Sequence, residues 1–156
     1  MSALALAVLG LAASTAQAGT VNANMGVQIT IQNACAFTTA PTTLQFGTQG
    51  PLIANVDATT TFQVTCTTGD AYNIGMGAGS GTVAARTMLN GATPVNYQLF
   101  NDSGRTKNWG ITIGTDTLAG TGNGTAQTVT VYGRVPPQTT PAAGVYNDTV
   151  QVSVTY

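Results

Sequence analysis

The residues able to do chemistry are few in this chain. It contains no His, and without this general base the usual Ser-His-Asp and Cys-His arrangements cannot form. The acidic residues are scattered and mostly lie beside turn residues; they are Asp57, Asp70, Asp102, Asp116 and Asp148. We expect Asp102 and Asp148 to accept hydrogen bonds from turn backbone amides rather than to form acid–base pairs. The sequence therefore predicts no catalytic residues and no enzyme activity.

Cys35 and Cys66 are the two cysteines of the chain. In an exported protein an even pair of cysteines indicates a structural disulfide, which would add about 3–4 kcal/mol of stability in the chain-entropy model. Two buried free thiols or a redox-active pair are the alternatives. The absence of a C-x-x-C spacing disfavours the redox pair.

No cofactor-binding or metal site is expected. His is absent, the cysteines are expected to pair, and no EF-hand spacing occurs. The segment Gly75–Gly81 has the glycines of a phosphate cradle but lacks the Gly-Lys-Ser/Thr ending, which favours a flexible loop. Trp109 could serve as a platform for a sugar ring. Its alternation with Ile111 and Ile113 instead favours a place in the core or on a sheet face.

Charge argues against two classes of partner. Four basic residues stand against five acidic ones, for a net charge of −1. The basic residues are dispersed along the chain, whereas binding to phosphate requires a concentrated positive face. We therefore expect neither nucleic acid nor a membrane surface as a partner. Arg105 and Arg134 are expected to pair with nearby Asp residues.

Residues 1–18 predict a signal peptide. They are apolar and small, and Ala16-Gln17-Ala18 is a typical cleavage site. The apolar run from Leu4 to Ala13 is too short to span a bilayer, so no membrane insertion is expected. Because no Lys or Arg precedes this run, we infer that the true start lies upstream or was clipped. The chain is predicted to be exported.

Eleven residues just past the predicted cleavage site alternate between apolar and polar. The apolar positions are Val21, Ala23, Met25, Val27, Ile29 and Ile31. Because strand side chains point to alternate faces, this pattern predicts an amphipathic strand about 36 Å long. An exposed apolar edge of this length invites pairing with another chain. We therefore predict that residues 19–32 form a donor strand, outside a domain formed by residues 33–156.

The remaining sequence has the composition of strands and turns, with Thr, Val and Ile in periodic segments and Gly, Pro and Asn between them. Strands are predicted around Leu44 and Phe46; Phe62, Val64 and Cys66; Tyr72, Ile74 and Met76; Val95, Tyr97 and Leu99; Trp109, Ile111 and Ile113; Val129, Val131 and Gly133; and Val150, Val152, Val154 and Tyr156. Pro136, Pro137 and Pro141 predict a rigid crossover. Short strands at this spacing predict an all-β sandwich.

The last predicted strand suggests that the sandwich is incomplete. If the strand formed by Val150, Val152, Val154 and Tyr156 is the sixth of an immunoglobulin-like sandwich, no chain remains for a seventh. A missing edge strand leaves a groove with unpaired backbone groups, each costing about 1–3 kcal/mol when buried. We therefore expect an incomplete immunoglobulin-like sandwich in which this last strand borders an acceptor groove. A donor strand from another subunit would complete it.

Several motifs in the C-terminal half resemble those of the spore coat U family. They are Tyr97-Gln98-Leu99-Phe100, Asp102, Arg105-Thr106, Trp109-Gly110, Tyr132-Gly133-Arg134-Val135-Pro136, Ala143-Gly144-Val145-Tyr146-Asn147-Asp148-Thr149-Val150 and Val152-Ser153-Val154-Thr155-Tyr156. The family includes pilin subunits of archaic chaperone–usher systems such as Csu pili. The resemblance implies an incomplete immunoglobulin-like fold, a periplasmic chaperone, an outer-membrane usher and assembly by donor-strand complementation.

The leading hypothesis is therefore a structural pilin that polymerises head-to-tail with copies of itself into an extracellular fibre for adhesion and biofilm formation. A single domain that begins with a donor strand resembles a rod or minor subunit rather than a two-domain tip. The alternative is a secreted monomeric module that binds carbohydrate or another surface and folds residues 21–31 into its own sheet. A stable monomer in size-exclusion chromatography, without a chaperone, would favour this alternative.

Overall fold

A computed structural model describes residues 17–156, and the chain divides into two units between Thr30 and Ile31. The predicted signal peptide lies almost wholly outside the described residues. Within residues 17–156 every regular element is a strand, and no helix is long and apolar enough to cross a membrane. The strands are β1 (Cys35–Thr39), β2 (Val56–Cys66), β3 (Ala71–Met76), β4 (Arg86–Asn90), β5 (Thr93–Phe100), β6 (Leu118–Thr121), β7 (Gln127–Val135) and β8 (Val152–Thr155).

The second unit forms two antiparallel sheets. The larger sheet has the strand order β1-β2-β7-β5-β4, and the smaller sheet has the order β6-β3-β8. In an immunoglobulin-like sandwich one sheet carries strands A, B, E and D and the other carries C, F and G. Here β1, β2, β7 and β5 follow the first order, and β3 and β8 follow C and F. No described strand occupies the position of G beside β8, so the predicted incomplete immunoglobulin-like sandwich is confirmed.

The core forms where the apolar faces of the two sheets meet. In β2 the alternating residues Phe62, Val64 and Cys66 are buried, and in β7 so are Val129 and Val131. Full burial of a side chain such as Phe62 contributes about 1.5–3 kcal/mol. The predicted alternations in β3 and β5 also lie in the core, through Tyr72, Ile74 and Met76 and through Val95, Tyr97 and Leu99.

Two predicted strands are wrong. Leu44 and Phe46 lie in a segment without strand pairing between residues 40 and 55, although both pack partly against the core. Trp109 is buried, but Ile111 and Ile113 are more than half exposed. The reason is a turn: the Asp116 carboxylate accepts from the Thr112 amide, which reverses the chain before a ladder can form.

Three observed strands are absent from the strands predicted above, and another prediction was too long. The three are β1, β4 and β6, and all lie at sheet edges, where pairing depends on the neighbouring strand. The last strand is shorter than predicted, because Val150 precedes β8 and Tyr156 follows it. Tyr156 is 58% exposed, whereas Val150, Val152 and Val154 pack partly against the core.

The described part of the first unit has no strand pairing. Its described residues are all exposed. The six alternating apolar positions from Val21 to Ile31 are exposed too, and Ile31 is the first residue of the second unit. The exposed fraction is 97% at Val21 and 85% at Val27. Large exposed apolar patches are uncommon on folded monomers and are typical of interaction sites. The donor-strand role of this segment remains a prediction.

Candidate strand-binding groove

An open groove of about 940 Å³ runs along the second unit. One wall is the segment 41–52, and the other is the segment 140–152, which leads into β8. The floor consists of core side chains from both sheets: Met76, Met88, Val95, Tyr97, Leu99, Val131 and Val135. The groove is therefore an opening into the hydrophobic core rather than a surface depression.

The first wall is held by apolar packing over a glycine. Leu44 and Phe46 lie so close to Gly133 of β7 that a Cβ atom added there would stand 2.9 Å from each side chain. Such contacts are shorter than van der Waals packing permits, so glycine at this position lets the wall approach the sheet. Phe46 also meets the ring of Tyr97 edge-on, with the ring centroids 6.3 Å apart.

Hydrogen bonds join the two walls at the ends of their segments. The Leu52 amide donates to the Thr140 hydroxyl at 2.8 Å, and the Gln138 amide donates to the Leu52 carbonyl at 2.9 Å. The Gln138 side chain also bonds the backbone amide and carbonyl of Asn96 in β5. This end of the groove is thus tied to the larger sheet.

The second wall connects the two sheets. Leu89 of β4 and Asn147 exchange backbone hydrogen bonds of 2.8 and 3.0 Å, after which the chain continues into β8. Val150 and Val152 line the groove. On one side β8 pairs with β3, from Asn73↔Thr155 to Met76↔Val152. Among the described residues no strand pairs with its other edge.

The second wall contains one acidic residue, Asp148, and its carboxylate accepts four hydrogen bonds. Its Oδ2 accepts from the Tyr97 hydroxyl at 2.6 Å, and its Oδ1 accepts from the Ser80 amide and hydroxyl and from the Thr149 amide. The prediction that Asp148 binds turn amides is correct. Burial, followed by the bond to Asp148, raises the pKa of Tyr97 well above its usual range.

Arg86 is a structural residue that the sequence did not reveal. Its side chain is fully buried and donates to four backbone carbonyls, those of Met76, Gly77, Val83 and Trp109. Burial lowers its pKa, although the nearby Tyr97 and Asp148 oppose this effect. Because β4 was not predicted, no sequence signal placed this arginine inside the sandwich.

A disulfide joins Cys35 at the start of β1 to Cys66 at the end of β2. Thr67, which follows Cys66, holds the residues just before Cys35. Its hydroxyl accepts from the Ala34 amide and donates to the Gln32 carbonyl, both at 3.1 Å, and its amide donates to the Ala34 carbonyl. The second unit therefore begins with a segment tied to the end of a central strand.

Residues 21–153 match the family model described as Spore Coat Protein U domain. The chain belongs to this family. A curated relative is Protein U of Myxococcus xanthus, which is 35% identical over 163 residues that cover 94% of this chain and 90% of that protein. The spore coat U assignment made from the C-terminal motifs is thus confirmed.

A solved structure supports the fold of this spore coat U domain. It is the crystal structure of the CsuC–CsuE chaperone–tip adhesion subunit pre-assembly complex from archaic chaperone–usher Csu pili of Acinetobacter baumannii. The TM-score is 0.57 at 18% identity, over 81% of this chain. The present chain covers only 41% of the matched chain in that structure.

Four further residues of the spore coat U motifs make hydrogen bonds or ion pairs within the sandwich. Arg134 forms two hydrogen bonds to Asp57, and Arg105 lies 3.3 Å from the same carboxylate, so the predicted Arg–Asp pairing is correct. Asp102 accepts from the amides of two residues in the turn that follows it, as expected. Trp109 is fully buried and donates to the Ile74 carbonyl, which contradicts its use as a sugar platform.

Proposed function

We propose that this spore coat U protein is a structural pilus subunit. In this proposal the segment from Val21 to Ile31 of one copy fills the groove of the next. The observation that carries the proposal is the outer edge of β8, which pairs with no strand of residues 17–156 and lies beside a groove that opens into the core. A strand added there would receive main-chain hydrogen bonds from β8 and would bury alternate side chains against the floor.

The segment from Val21 to Ile31 has the pattern that such a site requires. Every second side chain is apolar, and the intervening ones are polar or Gly, so one face would enter the groove while the other would remain in water. Burial of a large apolar side chain contributes about 1.5–3 kcal/mol. Five of the six apolar positions are larger than Ala. The inserted strand would therefore be held firmly despite the entropy lost on ordering it.

This mode of contact would generate a fibre. The donor segment and the groove are different surfaces of the same chain, and a head-to-tail contact of this kind continues without closing unless its rotation makes a ring. The expected product is a thin extracellular filament for adhesion and biofilm formation. Export would remove residues 1–18 before assembly.

The proposal includes two assembly partners. A groove that opens into the core exposes apolar surface, which promotes aggregation before a donor arrives. We expect a periplasmic chaperone to cover it and an outer-membrane usher to pass the subunit to the cell surface. The structural neighbour described above is a chaperone–subunit complex, and this kind of partner is carried over from it as part of the proposal.

Charge substitutions on the two faces of the donor segment test the proposal. Val27→Asp would place a carboxylate in the apolar groove, and burial of an unpaired charge costs several kcal/mol. Gln28→Asp is the matched control, because its side chain points to the opposite face. We expect surface fibres, counted by electron microscopy, to be lost for Val27→Asp and kept for Gln28→Asp.

The chaperone-bound subunit should accumulate in the periplasm for both variants, since the chaperone would occupy the groove rather than the donor segment. Equal numbers of fibres in Val27→Asp and Gln28→Asp would contradict the proposed contact between the donor segment and the groove. A stable wild-type monomer in size-exclusion chromatography, without a chaperone, would favour the alternative of a monomeric surface-binding module.

A further inference from the structure

Tyr97 contacts both walls of the groove from its floor. Its hydroxyl donates to Asp148 Oδ2 at 2.6 Å in the second wall, and its ring packs edge-on against Phe46 in the first wall. Tyr97 is only 5% exposed, so water competes little for either contact. A single side chain thus spans the width of the groove.

The Asp148 end of this bridge is fixed independently of Tyr97. The other carboxylate oxygen accepts from the Ser80 amide at 3.0 Å and from the Ser80 hydroxyl at 2.9 Å. Asp148 also lies directly against Gly79, whose φ of +61° favours glycine and where a Cβ atom would collide with the carboxylate. The Tyr97 hydroxyl therefore binds a point anchored to the loop after β3.

The Tyr97 end is fixed through its backbone. Tyr97 pairs with Arg86 across β4 and β5, and the buried guanidinium of Arg86 bonds the carbonyls of Met76 and Gly77 at the end of β3. Since β3 pairs with β8, the same cluster connects the groove floor in the larger sheet with the smaller sheet. Both ends of the bridge thus belong to well-bonded parts of the sandwich.

We propose that Tyr97 is a positioning residue for strand uptake, because its bond to Asp148 sets the separation of the two groove walls. The inference rests on the proposed function. Apolar walls in water tend to close on each other, and a site already at its final width avoids the free energy of reopening and ordering. The bond would then speed entry of the donor strand more than it would strengthen the filled state.

The test compares Tyr97→Phe with Tyr132→Phe. Tyr97→Phe removes one oxygen and keeps the ring that packs against Phe46. Tyr132→Phe is the matched control, since its ring lies near the Arg105 guanidinium and outside the groove. Each variant is made in the chain that carries Val27→Asp, so that its own donor segment does not compete, and is mixed with a synthetic peptide of residues 19–32.

We expect Tyr97→Phe to lower the association rate constant of the peptide about tenfold, as for a hydrogen bond to a charged group. The dissociation rate should stay within about twofold, because the inserted strand itself keeps the walls apart. Tyr132→Phe should match the parent chain in both rates. In the peptide-free chain, hydrogen exchange at the amides of Leu89 and Asn147 should be faster in Tyr97→Phe.

Unchanged association would overturn the positioning role. The role would also be overturned if Tyr97→Phe weakened peptide binding only through faster dissociation and lowered the melting temperature of the peptide-filled chain. A general loss of packing would explain both changes. If the parent chain takes up no peptide, the proposed function fails. Hydrogen exchange still tests the bridge in that case, and equal exchange in Tyr97→Phe and the parent chain would contradict it.

Discussion

The Nη2 atom of Arg86 lies 2.6 Å from the carbonyl oxygen of Trp109, and both side chains are fully buried. This bond joins β4 to the loop that follows β5. The same guanidinium holds the end of β3 through Met76 and Gly77. Backbone carbonyl dipoles, rather than a directly bonded carboxylate, surround this buried charge in the described structure.

Replacement of Arg86 should therefore destabilise the subunit strongly. Arg86→Met keeps much of the side-chain length but removes the donors to the buried carbonyls. Each buried carbonyl left without a donor costs about 1–3 kcal/mol. We expect the free energy of unfolding, measured with urea, to fall by about 3 kcal/mol or more. Arg134→Met is the control, because an exposed ion pair contributes only about 0–1 kcal/mol. Similar losses in the two variants would contradict the bridging role of Arg86.

Gly133 should control how closely the first groove wall approaches the sheet. Gly133→Ala places a methyl group 2.9 Å from Leu44 and Phe46, and overpacking of this kind costs about 1–3 kcal/mol. We expect lower stability in urea and weaker binding of the 19–32 peptide. Gly50→Ala lies in the same wall with nothing within 4 Å of the added methyl, so it should change little. If Gly133→Ala bound the peptide normally, the first wall would not form part of the binding site.

The ion pair of Asp57 predicts a loss of stability in acid. The hydrogen-bonded Arg134 guanidinium is the main cause of the lowered pKa of Asp57, and Arg105 contributes. A carboxyl with a lowered pKa in the folded state stabilises the protein fully above its unfolded value of about 3.9, and this contribution is lost as the pH falls through the folded pKa. Asp57→Asn should make the urea-unfolding free energy less dependent on pH below about pH 5. Parallel pH curves would contradict this role.

The strands that the sequence predicted best are those with apolar residues at every second position. Phe62 and Val64 in β2, like Val129 and Val131 in β7, are buried as the alternation indicated. The edge strand β4 was missed because its pairing comes from β5 rather than from its own alternation. Ile111 and Ile113 alternate in the same way, yet a turn stabilised by Asp116 exposes both.

Much of the candidate site depends on contacts that sequence spacing does not reveal. The cysteine count indicated the disulfide, and the last strand indicated an unpaired edge. The Tyr97–Asp148 bond joins β5 to the segment that precedes β8, across 51 positions of sequence, and no local pattern predicts it. Arg86 was equally hidden, since a lone arginine is ordinarily a surface residue.

The central claim is that position 27 of one chain lies in the groove of another. A photo-leucine at position 27, in unlabelled chains assembled with ¹⁵N-labelled wild-type chains, tests it by mass spectrometry. We predict cross-links from the unlabelled position 27 to ¹⁵N-labelled peptides of residues 41–52 or 140–152, with far fewer from a probe at position 28. Cross-links that join position 27 only to unlabelled groove peptides of its own chain would contradict the account.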